Sequence, residues 1–441
     1  NKRFEKREIN MVNKELLEKN LYILFFLMGL AYLFSIGVRL YWPMYFMDNE
    51  SMRYASQLMI NTNDGYFFAT GARDIIDGVV ANDAQRASAF GVSQGLVMLT
   101  VYATKLLPFS LETIILYLPA VISSLIVIPI ILTGRLMGHT LLGFFASLLG
   151  GVAWSYYNRT MVGYYDTDMF SVFLQFTIFY TLLHITYKKE LKGIILAAFL
   201  MFIYPYFYPQ GMTIIYAMFI MLVVYLFAEY KRIIITEETN DFKEDAFSLY
   251  GSVILLSIPL MIVLPIEGRI ILFLASLSML LKMRPNEKQL FYIALAFFAG
   301  FLFFGNVFNV ILAKLMVYLG RGVETEGLHF YQVVQTVREA GAIPFSTMAN
   351  RISGSQVGVI VSLIGYVVLV LRHKPFVIAL PLIGVGMLSL WAGLRFTVYA
   401  VPVAAISAVY LFYVLSNMFI KDTKVKYIFI GLTTEAMLYP N

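Results

Sequence analysis

Long stretches in which nearly every position is apolar, separated by short clusters of charge, recur from Leu21 almost to the end of the chain. A helix crosses roughly 30 Å of hydrocarbon in about 20 mostly apolar residues. Lipid offers the backbone no hydrogen-bond partners, so a crossing segment must satisfy its own amides and carbonyls as a helix. The runs are apolar all round and lack the in-and-out alternation of a transmembrane β-barrel. The pattern therefore predicts an all-α polytopic membrane protein. Thirteen segments qualify as transmembrane helices: about 21–41, 111–132, 141–157, 169–187, 193–208, 211–228, 248–264, 270–282, 289–308, 355–371, 375–391, 396–418 and 427–438.

Charge orients them. The first run is long enough to span and lacks a small-residue cleavage site, so it reads as a signal anchor. Its basic leader, from Lys2 to Lys19, then stays in the cytoplasm. With that end fixed, the later basic clusters (Lys188 with Lys189, Lys231 with Arg232, Lys282 with Lys288, Arg372 with Lys374, and Lys421 to Lys426) fall on the same side, as the positive-inside bias requires. The opposite, external face receives two long loops, 43–109 and 309–354, and a short one, 158–168. Within the first, 95–107 is apolar but short and carries Lys105, which predicts an interfacial helix. Long loops are usually functional or disordered. No internal or inverted repeat is visible, which weighs against the common transporter architectures.

Composition agrees. Of 441 residues 60% are hydrophobic and 14% charged, with mean hydropathy +0.75, whereas soluble domains carry roughly 25% charged residues; an ordinary water-soluble enzyme is excluded. The net charge of +6 is accounted for by the internal loops, and no basic stripe with stacking aromatics suggests nucleic acid. The absence of cysteine removes disulfides and thiol chemistry. His139, His184, His329 and His373 are scattered singly, which argues against a histidine-rich metal site.

The external side holds the candidate chemistry. Asn63-Asp64-Gly65-Tyr66 is strong turn chemistry. In the loop 158–168, Asp166 and Asp168 stand two residues apart at the edge of an apolar span. A divalent cation such as Mg²⁺ or Mn²⁺, which takes carboxylate oxygens and bridges to pyrophosphate, would offset their repulsion. Two solvated acids at a helix N-terminus are the alternative. The last long loop contributes Thr336, Glu339 and Arg351. Arg395 sits between two apolar spans, where its guanidinium fits either a phosphate or lipid headgroups reached by snorkelling.

In detail, Asn63-Asp64-Gly65-Tyr66 followed by Gly71-Ala72-Arg73-Asp74, the string from Ser155 to Met169, and Gly393-Leu394-Arg395-Phe396-Thr397 resemble the bacterial single-subunit oligosaccharyltransferases of the PglB type, over essentially the whole length. The resemblance implies a GT-C membrane domain and an inverting transfer of an oligosaccharide en bloc from polyprenyl (undecaprenyl) pyrophosphate to asparagine. It implies Mg²⁺ or Mn²⁺ held by Asp64, Asp166 and Glu339 with Asp168 close by. Asp64 and Glu339 would also engage the acceptor amide. Arg395 would stabilise the departing pyrophosphate, with Arg159 as a supporting cation and Tyr208 as a donor-lipid contact. Thr336 and Glu339 match a mobile-loop motif, and Arg351 the arginine that pairs with an acid two residues before the acceptor, which implies an Asp/Glu-x-Asn-x-Ser/Thr sequon. It further implies a single subunit in the bacterial inner membrane, with its site facing the periplasm. The family's Trp-Trp-Asp-Tyr-Gly motif, borne on a C-terminal periplasmic domain, does not occur in 1–441, so the chain is expected to be part of a longer protein. Another polyprenyl-dependent GT-C glycosyltransferase, or a flippase or transporter for lipid-linked glycan, is the competing expectation.

Overall fold

The computed structural model describes residues 18, 20–55, 57–78, 94–236, 242–283, 285–319 and 338–440. Each of the thirteen predicted runs is helical, and apart from a two-residue antiparallel ribbon, Arg53–Tyr54 with Gln57–Leu58, the regular structure among the described residues is helix. Seven of these helices are long and apolar enough to cross a membrane, eight if the bent pair Phe345–Ser353 and Gln356–Arg372 counts as one span. Three shorter apolar helices, Gly95–Leu106, Thr140–Val152 and Leu191–Phe207, accompany them.

The helices sort by burial. Thr397–Phe419 forms the centre, with most of its side chains enclosed. Gly365 and Gly386 let two neighbouring helices approach its backbone so closely that a Cβ at either would collide with Ser407 or Ala400, the small-residue contact that membrane helices use because lipid provides no hydrophobic drive between them. At the periphery, Leu21–Arg39 leaves Phe25, Phe26 and Leu33 exposed, and Glu287–Phe304 leaves Phe303 exposed. Apolar faces on this scale are stable against lipid, not water; the protein is a membrane protein.

Some boundaries differ from the sequence reading, for local reasons. The run 248–264 is helical only to Ser257; Pro259 lacks an amide donor and cannot prolong it. The run 289–308 ends at Phe304, because Asn306 has φ +54 and the chain starts again as Val307–Leu319. The segments expected to be external loops also carry helices of their own: Tyr41–Phe46 across the start of 43–109, Asn63–Ile76 and Gln94–Leu106 within it, and Phe345–Ser353 in 309–354. The helix Gln94–Leu106 lies where an interfacial helix was expected. Its Thr100 hydroxyl is 2.5 Å from that of Tyr165, so it props the short loop 158–168 from the side.

Candidate active site

The loop 158–168 is held at several points. Gly163 donates its amide to the Leu116 carbonyl at 2.8 Å and accepts from the Asn61 amide at 2.9 Å. Its φ of +88 and its contact with the Trp42 ring leave room only for glycine there. The helix Asp168–Lys188 then begins, with Asp168 in its first turn, where the free amides favour a carboxylate.

Across this loop lies an ion-pair bridge. Arg159 donates from Nη1 to Oδ2 of Asp168 and from Nη2 to Oε2 of Glu339. Arg159 and Asp168 are nearly buried, whereas Glu339 is about half exposed, at 49%. Burial alone would lower the Arg159 pKa, but Asp168, Tyr164 and Glu339 outweigh it and hold the guanidinium charged, well above its ordinary value.

Glu339 arrives on the short 3₁₀ turn Arg338–Ala340, and Gly393 fixes that turn. At φ +117, Gly393 sits so close to the Glu339 carbonyl and to Ala340 that a Cβ would overlap both. The next turn, Leu394–Phe396, carries Arg395, its guanidinium 5.3 Å from the centre of the Phe396 ring. One helical turn on, the Tyr399 hydroxyl lies 3.1 Å from that of Tyr208. Tyr399 is within electrostatic reach of Asp168, Arg159 and Arg395 together.

Asp64 enters from the first turn of Asn63–Ile76 and is exposed. Gly65 beside it packs against the Tyr165 carbonyl, which docks this helix on the loop and brings the Asp64 charge within reach of Asp166. Asp166 is pushed up to about 7, first by burial and then by Asp168, with Asp64 adding a little. Its Oδ1 accepts from the amide and hydroxyl of Thr167, but among the described residues no cation pairs with it.

The donor set suits a hard divalent cation: all of it is carboxylate oxygen. Asp166 is the acid left short of positive charge, and Asp64 lies within electrostatic reach of it. Asp168 and Glu339 are occupied by Arg159, and among the described residues no trio of Asp, Glu or His side chains is already gathered as a metal-binding group. Of these four acids, Asp166 and Asp64 are the two that Arg159 leaves free to take a cation, and Glu339 could join them on leaving Arg159.

Arg351, on Phe345–Ser353, is within electrostatic reach of Arg159, Glu339 and Tyr164. Its buried Nε has no hydrogen-bond partner among the described residues. The structure thus gathers Asp64, Arg159, Asp166, Asp168, Tyr208, Glu339, Arg351 and Arg395 around one loop. Thr336 lies outside the described residues. Sequence reasoning passed over Tyr164, which lies among Arg159, Asp168, Asp166 and Glu339, and Tyr399. For Tyr399 a signal existed: it follows Arg395 by four residues, one helical turn.

The chain matches the family described as oligosaccharyl transferase STT3, N-terminal, over residues 21–439. It is 37% identical over 401 residues, 90% of this chain and 54% of the relative, to the undecaprenyl-diphosphooligosaccharide–protein glycotransferase of Campylobacter jejuni subsp. jejuni serotype O:2, and to the same degree to that of Campylobacter jejuni strain RM1221. It spans about half the length of these curated relatives. Among solved structures it is similar to the Archaeoglobus fulgidus oligosaccharyltransferase in the apo form, with TM-score 0.61 and 15% identity over 96% of this chain and 55% of that one. A second structure, of the same organism's AglB with an inhibitory peptide and a dolichol-phosphate, gives TM-score 0.57 and 15% identity over 95% and 55%. The likeness of fold, together with a family match spanning nearly the whole chain, means that this protein belongs to the oligosaccharyl transferase STT3 family.

Proposed function

We propose that the protein is the membrane-embedded catalytic part of an oligosaccharyltransferase. It moves an oligosaccharide en bloc from polyprenyl (undecaprenyl) pyrophosphate to the asparagine of an Asp/Glu-x-Asn-x-Ser/Thr sequon. In this reading it works as a single subunit in the bacterial inner membrane, with thirteen GT-C spans, a cytoplasmic N-terminus and its site in the periplasm. The observation that carries the reading is the bridge from Arg159 to Asp168 and Glu339, with Arg395 on the turn beside Glu339. Acids able to engage an amide and a cation able to take a phosphate thus meet at one face. Relatives bearing this activity in their names support it, as does the peptide-tethered Archaeoglobus structure, whose ligand carries an NVT sequon.

On this reading the chain's own groups divide the work. Arg395, with its planar fork, receives the charge that builds on the pyrophosphate as its bond to the anomeric carbon breaks. Tyr208, joined to Tyr399 through their hydroxyls, lies next to that leaving group on the lipid side. Asp64 and Glu339 accept hydrogen bonds from the acceptor amide and so raise the nucleophilicity of its nitrogen, which attacks opposite the leaving group and inverts the sugar carbon; as the N–C bond forms and the bond to pyrophosphate breaks, one of the two carboxylates takes the N–H proton the nitrogen releases. Glu339 does this by exchanging Arg159 for the amide, and Arg159 remains on Asp168. Mg²⁺ or Mn²⁺, held by Asp64, Asp166 and Glu339 with Asp168 close by, would supply positive charge to the pyrophosphate oxygens. Arg351 pairs with the acid two residues before the acceptor.

The test uses the full-length protein in detergent with lipid-linked oligosaccharide, a fluorescent Asp-x-Asn-x-Thr peptide and Mn²⁺, comparing wild type with Asp64→Ala, Asp166→Ala and Glu339→Ala. Glycopeptide from wild type, lost in the variants, is the expected result. Absence of glycopeptide from wild type, or equal amounts from all four proteins, refutes the reading.

A further inference from the structure

Arg39 is the last residue of the helix Leu21–Arg39 and is fully buried. That helix is otherwise peripheral, which makes an enclosed cation at its end unexpected. Among the described residues no carboxylate pairs with it. Its guanidinium is surrounded by neutral oxygens instead. Nε donates to the Thr160 carbonyl at 3.2 Å and Nη2 to the Thr160 hydroxyl at 2.8 Å. Nη1 donates to the Gly151 carbonyl at 2.8 Å and to the Ser35 hydroxyl and carbonyl at 2.7 and 3.1 Å. The Tyr156 ring lies 5.2 Å from the guanidinium carbon, and the Tyr156 hydroxyl donates to the Ser123 carbonyl at 2.8 Å.

Burying a charge without a counter-ion is costly, and two helices that only needed to pack would do so more cheaply with apolar side chains. What distinguishes these contacts is where they end. Two of the guanidinium's nitrogens terminate on Thr160, the residue that follows Arg159, and Arg159 spans Asp168 and Glu339. The Thr160 carbonyl also receives the Ser123 hydroxyl at 3.4 Å. The side chain of Thr160 and the peptide that follows it, one residue beyond Arg159, are thereby fixed in position and in rotation. A guanidinium suits this task because its nitrogens are held in one plane with set angles.

We infer that Arg39 is a positioning residue for the transfer reaction: by holding the Thr160 carbonyl and hydroxyl from within the protein, it sets the placement of Arg159 and through it of Asp168 and Glu339. The inference rests on the proposed reading of the loop 158–168 as catalytic. Arg39→Lys keeps the charge and loses the fork, so it separates geometry from charge. Thr160→Val breaks the side-chain half of the same contact from the loop side.

In the full-length protein, Arg39→Lys is expected to raise hydrogen exchange across 158–168 about tenfold while exchange in Thr397–Phe419 stays at its wild-type rate. It is expected to lower kcat for glycopeptide formation about tenfold with the peptide KM within about twofold, the order of loss that small misplacements of catalytic groups produce. In an Arg159→Lys background the same change is expected to lower kcat little further, since the two residues act in series. Thr160→Val should reproduce the local rise in exchange. Unchanged exchange at 158–168 in both variants, or losses of kcat from Arg39→Lys and Arg159→Lys that multiply in full, overturns the assignment. Glycopeptide formation by wild type decides the underlying reading separately, because hydrogen exchange reports on the loop whether or not turnover is seen.

Discussion

Arg159 donates from Nη2 to Oε2 of Glu339, and so joins two segments that lie 180 residues apart in the chain. The same guanidinium holds Asp168, so one side chain decides how the two halves of the site meet. Removing it leaves a nearly buried carboxylate unpaired, which costs about 3 kcal/mol when a buried pair loses one partner. Arg159→Ala is therefore expected to lower the thermal midpoint in detergent clearly and turnover at least a hundredfold. Thermal unfolding and glycopeptide yield check both, and a variant with wild-type yield would show that the bridge is dispensable.

Asp166 gives the site a pH dependence. Burial and the neighbouring Asp168 raise its pKa to about 7, above the unfolded value of roughly 3.9. The sign follows: the folded state binds this proton more tightly than the unfolded chain does, so ionisation of Asp166 takes stability away as pH rises from about 4 toward 7. A divalent cation bound by Asp166 is expected to reverse that loss. Because the cation needs the ionised acid, its apparent affinity is expected to fall about tenfold per pH unit below 7, which Mn²⁺ titration of activity at pH 6, 7 and 8 would reveal. Asp166→Asn should remove the dependence along with most of the activity, and a flat pH profile in wild type would contradict the assignment.

Metal removal gives a simpler outcome. Chelation with EDTA is expected to abolish glycopeptide formation, and added Mn²⁺ or Mg²⁺ to restore it, while Ca²⁺, larger and less demanding of octahedral geometry, restores less. Full turnover in EDTA would mean that Arg159 and Arg395 suffice for the phosphate charge.

Arg351 should read the acceptor. A charge-assisted hydrogen bond contributes about 1.5–3 kcal/mol, so Arg351→Ala is expected to reduce the preference for Asp over Ala two residues before the acceptor by tenfold or more. KM measured over a peptide series checks this, and an unchanged preference would remove Arg351 from the site.

Gly393→Ala tests the support beneath Glu339. A side chain at φ +117 is strained by about 1–3 kcal/mol, and here its Cβ would also meet the Glu339 carbonyl and Ala340. Turnover is expected to fall by more than thermal stability alone explains, because Glu339 and Arg395 lie on the two turns that would be forced apart. Proportional loss of both would indicate a purely structural role.

The sequence by itself determined the class of molecule and where most of its helices lie, since apolar runs of crossing length admit only helices in lipid; each of the thirteen runs contains helix. It also singled out Asp166, Asp168 and Arg395, because charge beside an apolar span is conspicuous in a chain with so little charge, whereas Asp64, Arg159, Glu339 and Arg351 gained their roles from the family resemblance. Helix ends were less legible: Ser257 and Phe304 close their helices through a proline and a left-handed asparagine whose neighbours continue the apolar pattern. What only the tertiary structure decided is pairing. Hydropathy assigns a residue to a side of the membrane but carries no information on which external groups touch, so the Arg159 bridge, the Gly393 turn under Glu339 and the Tyr208–Tyr399 pair were invisible. Arg39 shows the same limit from the other direction. At the end of an apolar run it reads as an ordinary interfacial cation, and its role emerges only because Gly151 and Thr160, more than a hundred residues away, fold around it and turn a flanking charge into an enclosed one.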